Sequence, residues 1–385
     1  QVPVSDVAIT ASSFQGKTGE AMAMGERTPL AAINAPASGR IAVAEAITNI
    51  AAAPIEDLSR VRLSANWMAA AGHPGEDANL FETVKAVGHE LCRELGVAIP
   101  VGKDSMSMRT RWSDDNGEHN VVAPVSLIVS AFAPVSDVTR HLTPQLRKAD
   151  EASYLLLVDL GEGRNRLGGS CLAQAYGLAG GQAPDVDNPR LLKGLFAAVQ
   201  ELGSRDMLLA YHDRSDGGLL ATVAEMIFAG RQGVTLTLSG SRVELLKRLF
   251  SEEIGAVMQV AKSKLPQVQM VLDRNGIKAE AVGLVTDTAK LIVRSDEQTV
   301  LELDRATMQR EWSEVSYRIQ ALRDNPATAK EEFDRVLDDK DPGLNVVLSF
   351  DPGEDVSRAY RAGGRPRVAV LREQGVNSQY EMAAA

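Results

Sequence analysis

The sequence predicts an α/β protein, α+β in its layering, with two domains and the beginning of a third. Between residues 1 and 133, strand-like apolar runs alternate with helix-like runs. A second alternation opens with the buried-strand pattern of residues 154–159 and ends near Ala321. A further apolar strand, residues 367–371, follows a stretch rich in charges, prolines and glycines. We therefore expect two separate α/β cores and a third domain that has just begun.

The first domain, residues 1–133, contains three strand-like runs and two helix-like runs. The runs are residues 2–10, 61–64 and 121–132 for the strands, and residues 39–50 and 79–95 for the helices. Residues 14–27 are interrupted by glycines and predict a loop after the first strand. This loop is either a mobile flap over a nucleotide or a hairpin with glycine turns.

The second domain is expected over residues 150–322, after a linker at 134–150. Its strands and helices alternate from the strand at 154–159 to a helix that contains Trp312 and Tyr317. Residues 323–365 read as an exposed linker. Residues 366–385 read as the first strand and helix start of the third domain.

Composition excludes several classes of protein. The 385 residues are 44% hydrophobic and 24% charged, with a net charge of -10, which disfavours a nucleic-acid or anionic-membrane surface. Two cysteines exclude a disulfide framework and favour a reducing, cytoplasmic compartment. The sequence shows no signal-peptide pattern and no apolar run of membrane-spanning length. The chain begins at Gln1 and stops inside a helix-like run, so we expect a piece of a longer polypeptide.

Glu45 and Asn49 are the first candidate ligands. They are four residues apart, so they share one face of the helix predicted at 39–50. Their neighbours on this helix are apolar, and both side chains offer the oxygen ligands that Mg²⁺ requires. A solvated edge of an amphipathic helix is the alternative.

Two further acidic positions could complete such a site. Asp6 lies in an apolar strand-like run, where a carboxylate is costly unless it is paired or metal-bound. Asp213, Ser215 and Asp216 crowd a predicted strand-to-helix loop that ends in two glycines. An outward-facing strand position explains Asp6 equally well, and a helix cap explains Asp216 but not Asp213.

Residues 100–108, PVGKDSMSM, predict a polar turn. Gly102, Lys103 and Ser105 are suited to phosphate, but the first glycine of a P-loop is missing and Asp104 follows the lysine. An ordinary polar turn is the alternative.

Together, five stretches resemble the formylglycinamide ribonucleotide amidotransferase family, also called phosphoribosylformylglycinamidine synthase, in its large single-chain form. They are residues 17–27, 44–49, 100–108, 212–218 and 368–377. The resemblance implies the second half of a synthetase, with N-terminal and C-terminal subdomains of the aminoimidazole ribonucleotide synthetase type. The first strand of a class I glutaminase domain would follow.

The resemblance also implies a function. Such an enzyme is a C–N ligase of purine biosynthesis that uses ATP, glutamine-derived ammonia and formylglycinamide ribonucleotide. Its partners would be the first synthetase half and the glutaminase domain of the same polypeptide, with no nucleic acid and no membrane. The glutaminase cysteine, histidine and glutamate would lie beyond residue 385, so this chain would hold no catalytic residue of that domain and would be inactive alone.

The same resemblance assigns residues to Mg²⁺ and ATP or ADP. The metal ligands would be Asp6, Glu45, Asn49 and Asp213. Ser5 and Ser215 would contact the nucleotide at this auxiliary site, whereas Gly102, Lys103 and Ser105 would face the catalytic site between the two halves. The alternative is a mainly structural nucleotide-binding half without turnover.

Overall fold

The computed structural model describes residues 4–296, 298–338, 340–341, 343–375 and 377–384. The chain divides into two compact units, one up to Leu337 and one from Asp338. The first unit contains the two predicted α/β domains. None of the helices in the described part of the chain is long and apolar enough to cross a membrane.

The first domain is a five-stranded sheet with helices packed on one face. Its elements are β1 (Ala8–Ala11), β2 (Gly19–Glu26), α1 (Thr28–Ala31), α2 (Ala35–Ile50), β3 (Arg62–Met68), α3 (Glu76–Val84), a π-helical segment (Lys85–Leu91), α4 (Cys92–Leu95), β4 (Ala98–Ser105), β5 (Arg109–Asp114), β6 (Gly117–Val122) and β7 (Ser126–Val135). The sheet order is β1-β2-β7-β3-β4, and β5 and β6 form a separate hairpin. Only the β3–β4 pair of the five-stranded sheet is parallel.

The second domain is built around a seven-stranded sheet. Its elements are β8 (Ser153–Asp159), α5 (Cys171–Ala175), α6 (Pro189–Ser204), β9 (Ala210–Arg214), α7 (Gly218–Gly230), β10 (Gly233–Thr237), α8 (Arg242–Phe250), β11 (Gly255–Ala261), α9 (Leu265–Arg274), β12 (Ala279–Thr286), β13 (Lys290–Ser295), β14 (Gln298–Asp304), α10 (Arg305–Arg323) and α11 (Pro326–Arg335). The order β14-β13-β10-β12-β8-β11-β9 places β9 at one edge. The mixed α/β fold is thus confirmed.

Helix α2 lies directly against β2 because a glycine removes the obstacle between them. A Cβ on Gly25 would stand 2.2 Å from the carbonyl oxygen of Ala42 and 2.4 Å from the amide nitrogen of Ala46. Ile41, Ile47 and Ile50 on α2 are fully buried in the core. The close approach of α2 to β2 brings the polar positions of this helix to the end of the strand.

The predicted loop at 14–27 is wrong for most of its length, because residues 19–26 form β2. Ala21 and Ala23 point into the core while Glu20 and Met24 point outward, which is the period of a half-buried strand. Because the inward-facing residues of β2 are alanines and glycines, the sequence does not show the alternation of large apolar and polar residues that marks a strand. The glycines suggest turns instead. The hairpin alternative is the nearer one, since β1 and β2 pair antiparallel.

Other predicted boundaries also shift. The turn expected at 100–108 is largely the edge strand β4, and the strand expected at 2–10 begins at Ala8, with residues 1–3 outside the described part. The run 121–132 holds the end of β6 and most of β7, and Pro124, which lacks a backbone N–H, lies between them.

The region after the second domain differs from the sequence prediction in two places. Helix α11 occupies residues 326–335 of the expected linker, and its Phe333 ring stacks on Tyr317 of α10 at 4.3 Å. In the second unit, residues 367–371 are exposed and form no strand, since a strand needs a neighbour for its backbone groups. Its helix α12 (Gln379–Ala384) lies inside the predicted helix start.

Candidate metal and nucleotide site

The candidate site lies where β9, the segment before β1 and helix α2 meet. Edge strand β9 is buried along its whole length. The Tyr211 hydroxyl on β9 donates to the Thr48 carbonyl of α2 at 2.8 Å. This bond ties the second domain to the helix that carries Glu45 and Asn49.

Asp6 and Asp213 come together in this place. Their side chains are 1% and 5% exposed. Oxygens of both carboxylates and a ring nitrogen of His212 lie within 4.8 Å of one another. Asp6 precedes β1, and Asp213 lies on β9 rather than in the predicted loop, which begins only at Ser215.

Glu45 and Asn49 approach from α2. The Glu45 carboxylate accepts from the amide of Glu26 at 2.9 Å, and the Asn49 amide donates to the Met24 carbonyl at 2.9 Å. The Glu45 charge is among the causes that raise the pKa of Asp213. Glu45 and Asn49 are thus bonded to the end of β2, whereas the acidic and histidine groups that lie within 4.8 Å of one another here, among the described residues, are Asp6, His212 and Asp213.

Three oxygens of this set lack a hydrogen-bond partner among the described residues although they are buried. They are Asp6 Oδ2, Asn49 Oδ1 and Asp213 Oδ2. Buried polar atoms are almost always satisfied, so orphaned acceptors on Asp6 and Asp213, whose carboxylates meet, and on Asn49 of the adjoining helix α2 point to a missing donor or cation. Carboxylate and amide oxygens without sulfur are the donors that a hard cation such as Mg²⁺ prefers. The residues present thus fit such an ion.

The electrostatics of the site show the cost of leaving these carboxylates without a cation. Burial raises the pKa of Asp6, and burial together with the Asp6 charge raises the pKa of Asp213 well above its usual value. Burial also raises the pKa of Glu45 to about 7. Burial opposes the charging of His212, but the carboxylates of Asp6 and Glu225 outweigh it and raise the pKa of this histidine well above 6.5.

The predicted nucleotide residues fall into two groups. Ser5 is exposed next to Asp6, and Ser215 is half-buried directly after β9, so both flank the carboxylates. Gly102, Lys103 and Ser105 lie on β4 instead. Three strands separate β4 from β1 in the first sheet, a spacing of about 19 Å between these two strands, so the two groups do not share one site.

The β4 group belongs to the open face of the first sheet. In the register of β3 and β4, Lys103 pairs with Asn66 and Ser105 with Met68, and the Lys103 ammonium donates to the Ser105 hydroxyl. Asn66 Oδ1 is buried and lacks a partner in the described residues. A Cβ on Gly102 would stand 2.5 Å from the Ala65 carbonyl oxygen, so this position requires glycine.

Sequence reasoning missed a buried glutamate that shapes the turn after Asp213. Glu252 is 1% exposed and accepts from the amides of Gly217 at 2.7 Å and Cys171 at 2.9 Å. It also pairs with the buried guanidinium of Arg27, which in turn pairs with Asp216. Its position between α8 and β11 gives no local signal, because its partners are distant in sequence.

Two protein families match the two domains. The FGAR-AT PurM_N-like domain family matches residues 1–134, and the C-terminal domain family of AIR synthase related proteins matches residues 154–296. Each family model covers one of the two α/β domains of the first unit. Asp6, Glu45 and Asn49 lie in the range that matches the first family, and Asp213 lies in the range that matches the second.

Solved structures share this fold. Thermotoga maritima PurL complexed with ATP is similar with a TM-score of 0.57 and 14% identity, over 78% of this chain and 45% of that chain. The same protein complexed with FGAR gives a TM-score of 0.56 at 14% identity, over 78% and 49%. Escherichia coli HypE, a hydrogenase maturation protein, gives 0.51 at 19%, over 75% and 86%. This PurM_N-like and AIR synthase-like chain thus spans about half the length of the PurL structures.

Proposed function

We propose that this chain is part of an ATP-dependent ligase of purine biosynthesis and that it binds a magnesium nucleotide between its two domains. The proposed reaction converts formylglycinamide ribonucleotide and glutamine-derived ammonia to formylglycinamidine ribonucleotide in the cytoplasm. The observation that carries the proposal is the group of three orphaned, buried oxygens on Asp6, Asn49 and Asp213. The two family matches and the PurL-like fold support the choice of reaction.

At the proposed auxiliary site, Asp6, Glu45, Asn49 and Asp213 hold Mg²⁺, and Ser5 and Ser215 contact the phosphates of ATP or ADP. The ion would supply the positive charge that offsets the buried carboxylates and attracts a phosphate. The chain's own contribution is position: α2 is held on β2 through Gly25, and β9 is held on α2 through Tyr211. The buried carboxylates cannot all remain charged without a cation, which favours a tightly held ion.

The open face of the first sheet is the proposed catalytic side. Lys103 and Ser105 lie on this face, where a phosphate could be bound by the ammonium and the hydroxyl. Met24, Val101 and Phe132 expose 58%, 63% and 42% of their surface on the same sheet. We assign this face to the first synthetase half, and residues 366–385 to the beginning of the glutaminase domain that supplies ammonia.

A nucleotide at the auxiliary site could serve either of two functions. It turns over during catalysis, or it mainly stabilises the fold. We favour stabilisation, because the orphaned oxygens come from both domains, Asp6 and Asn49 from the first and Asp213 from the second, so that a bound ion would hold the domains together. Asp6→Ala and Asp213→Ala test the choice, with the exposed Asp287→Ala as a control. Bound nucleotide is measured after denaturation of the purified chain, thermal unfolding is measured on the same samples, and synthetase activity is measured in the complete enzyme.

We expect Asp6→Ala and Asp213→Ala to lose the bound nucleotide and to unfold at lower temperature while synthetase activity persists. A loss of several powers of ten in activity with unchanged thermal stability would instead assign turnover to this site. Unchanged nucleotide content in both variants would contradict the proposed site itself. The Asp287→Ala control should match the unsubstituted chain in all three measurements.

A further inference from the structure

His212 lies between a proposed metal ligand and a glutamate of the neighbouring helix. Its Nδ1 is 2.6 Å from Asp6 Oδ1, and its Nε2 is 2.9 Å from Glu225 Oε2. The side chain is 6% exposed. Both ring nitrogens are thus engaged with carboxyl oxygens, and neither is free for a metal. His212 is therefore not a fifth ligand beside Asp6, Glu45, Asn49 and Asp213, although it lies within the metal-sized cluster.

We propose that His212 is a positioning residue that holds Asp6 by one oxygen and leaves the other oxygen directed to the ion. The inference rests on the proposed magnesium site. It explains why Asp6 Oδ1 is bonded while Asp6 Oδ2, equally buried, lacks a partner among the residues described. A carboxylate held in this way has already lost the rotational freedom that binding would otherwise cost.

Glu225, which bonds the His212 nitrogen on the side away from Asp6, is also fixed in position. Glu225 on α7 accepts from the indole Nε1 of Trp312 on α10 at 3.1 Å, so its two oxygens serve two different donors. The Trp312 ring lies against Phe228, with 5.9 Å between the ring centroids. The sequence of bonds from Trp312 through Glu225 and His212 to Asp6 thus connects the site to two helices of the second domain. The imidazole cannot turn away from Asp6 without breaking its bond to Glu225.

A purely structural histidine would behave differently. Its loss would lower the free energy of unfolding but would leave the ion affinity of the folded molecules unchanged. A positioning residue changes the ion affinity of folded protein, and an outer partner of a metal ligand typically contributes 10–100-fold. The affinity for Mg²⁺ therefore distinguishes the two roles.

The test measures Mg²⁺ binding by calorimetry to the full 385-residue chain at saturating ADP, with ADP binding in the presence of EDTA as a second titration. His212→Ala removes both bonds and should raise the Kd for Mg²⁺ by about 100-fold. His212→Asn keeps a donor near the position of Nδ1 and should raise the Kd by about tenfold. Glu225→Gln keeps the imidazole but loosens it, and should raise the Kd by about tenfold.

The control is His141→Asn, because His141 is exposed and bonds to the Val138 carbonyl of its own loop. This variant should keep the Kd of the unsubstituted chain. If His212→Ala does not fold, His212→Asn and Glu225→Gln decide, since each retains part of the arrangement. Values for His212→Asn and Glu225→Gln within about twofold of the unsubstituted chain would overturn the inference and leave the proposed function standing. If the unsubstituted chain itself bound no Mg²⁺ with ADP, both would fall.

Discussion

Buried charge is the dominant feature at the scale of single residues. The carboxylate of Glu45 lies on helix α2, where almost all of the surrounding residues are buried. The amide of Glu26 stabilises the charged form, but burial outweighs that bond and raises the pKa of Glu45 to about 7. Without a cation, the folded chain therefore favours a protonated Glu45, and an ion that binds here would restore the charge.

This pKa predicts how stability depends on pH in the absence of metal. Between the ordinary pKa of 4.5 and the folded value of about 7, the folded chain holds a proton that the unfolded chain has released. The contribution of Glu45 to the free energy of unfolding is thus complete below pH 4.5. It decreases by about 3 kcal/mol as the pH rises from the unfolded to the folded pKa. Glu45→Gln cannot ionise, and its oxygen can still accept from Glu26, so the variant should gain stability relative to the unsubstituted chain as the pH rises.

The measurement is urea unfolding in EDTA at pH 5 and pH 8. Glu20→Gln is the control, because Glu20 is exposed on the neighbouring strand β2. A stability difference between Glu45→Gln and the unsubstituted chain that is the same at both pH values would show that Glu45 ionises as freely in the folded chain as in the unfolded one.

At the scale of elements, helix α6 connects the two domains through one side chain. Gln200 accepts from the amides of Ile55 and Glu56, both at 2.8 Å. It also donates to the carbonyls of Ala51 and Ala53, at 2.8 and 3.0 Å. Gln200 of α6 thus provides hydrogen-bond partners for the backbone of the segment that follows α2. This helps to fix the helix carrying Glu45 against the domain carrying Asp213.

Gln200→Ala should therefore destabilise the first unit strongly. The substitution leaves the Glu56 amide and the Ala51 carbonyl without their Gln200 partner, whereas the Ile55 amide and the Ala53 carbonyl stay bonded to each other at 2.9 Å. We expect a loss of roughly 1–3 kcal/mol in the free energy of unfolding. Chemical denaturation followed by circular dichroism measures it. Gln269→Ala is the matched control, since Gln269 bonds Asp273 at the surface of α9 and its loss should cost less than about 0.5 kcal/mol. Equal effects of the two substitutions would contradict the proposed connection.

At the scale of the whole molecule, the first sheet has one covered face and one exposed face. The exposed face is about 24 Å across its five strands and about 27 Å along an eight-residue strand, which is roughly 650 Å². This area approaches the roughly 800 Å² that each partner buries in a stable interface. Apolar residues on a sheet of this size predict a partner, which we propose is the first synthetase half.

When that partner is absent, two copies of the chain should pair through this face, since a two-fold pair buries the same surface on both. Phe132→Arg places a charge at the face and should weaken dimerisation at least about tenfold, because a charge in an apolar contact is costly. Sedimentation equilibrium at 0.15 M salt, where the net charge is screened, measures the association. Phe81→Arg is the control, because Phe81 is exposed on α3, away from this face. Loss of pairing in both variants, or in neither, would exclude the sheet face as the interface.

Much of the fold was predictable because its signals are local. Helix α2 and strand β8 follow from the apolar periodicity of their own residues, and so does the shared face of Glu45 and Asn49. Strand β2 was not predictable in this way, since its inward residues are alanines and glycines that pack only because α2 approaches closely. Strand β4 was missed for a similar reason, as Gly102 is required by the neighbouring Ala65 carbonyl and not by a turn.

The sequence by itself determined the chemistry of the candidate site, which has oxygen donors in a chain with few cysteines. It also showed five stretches whose order along the chain resembles one family. Only the tertiary structure decided that Asp6 and Asp213 meet, that Lys103 lies on an edge strand separated from β1 by three strands, and that both ring nitrogens of His212 are hydrogen-bonded. The physical reason is that periodicity reports which face of an element is buried, whereas distances between elements depend on packing between residues far apart in the chain. Orphaned oxygens become visible only when every other partner has been placed.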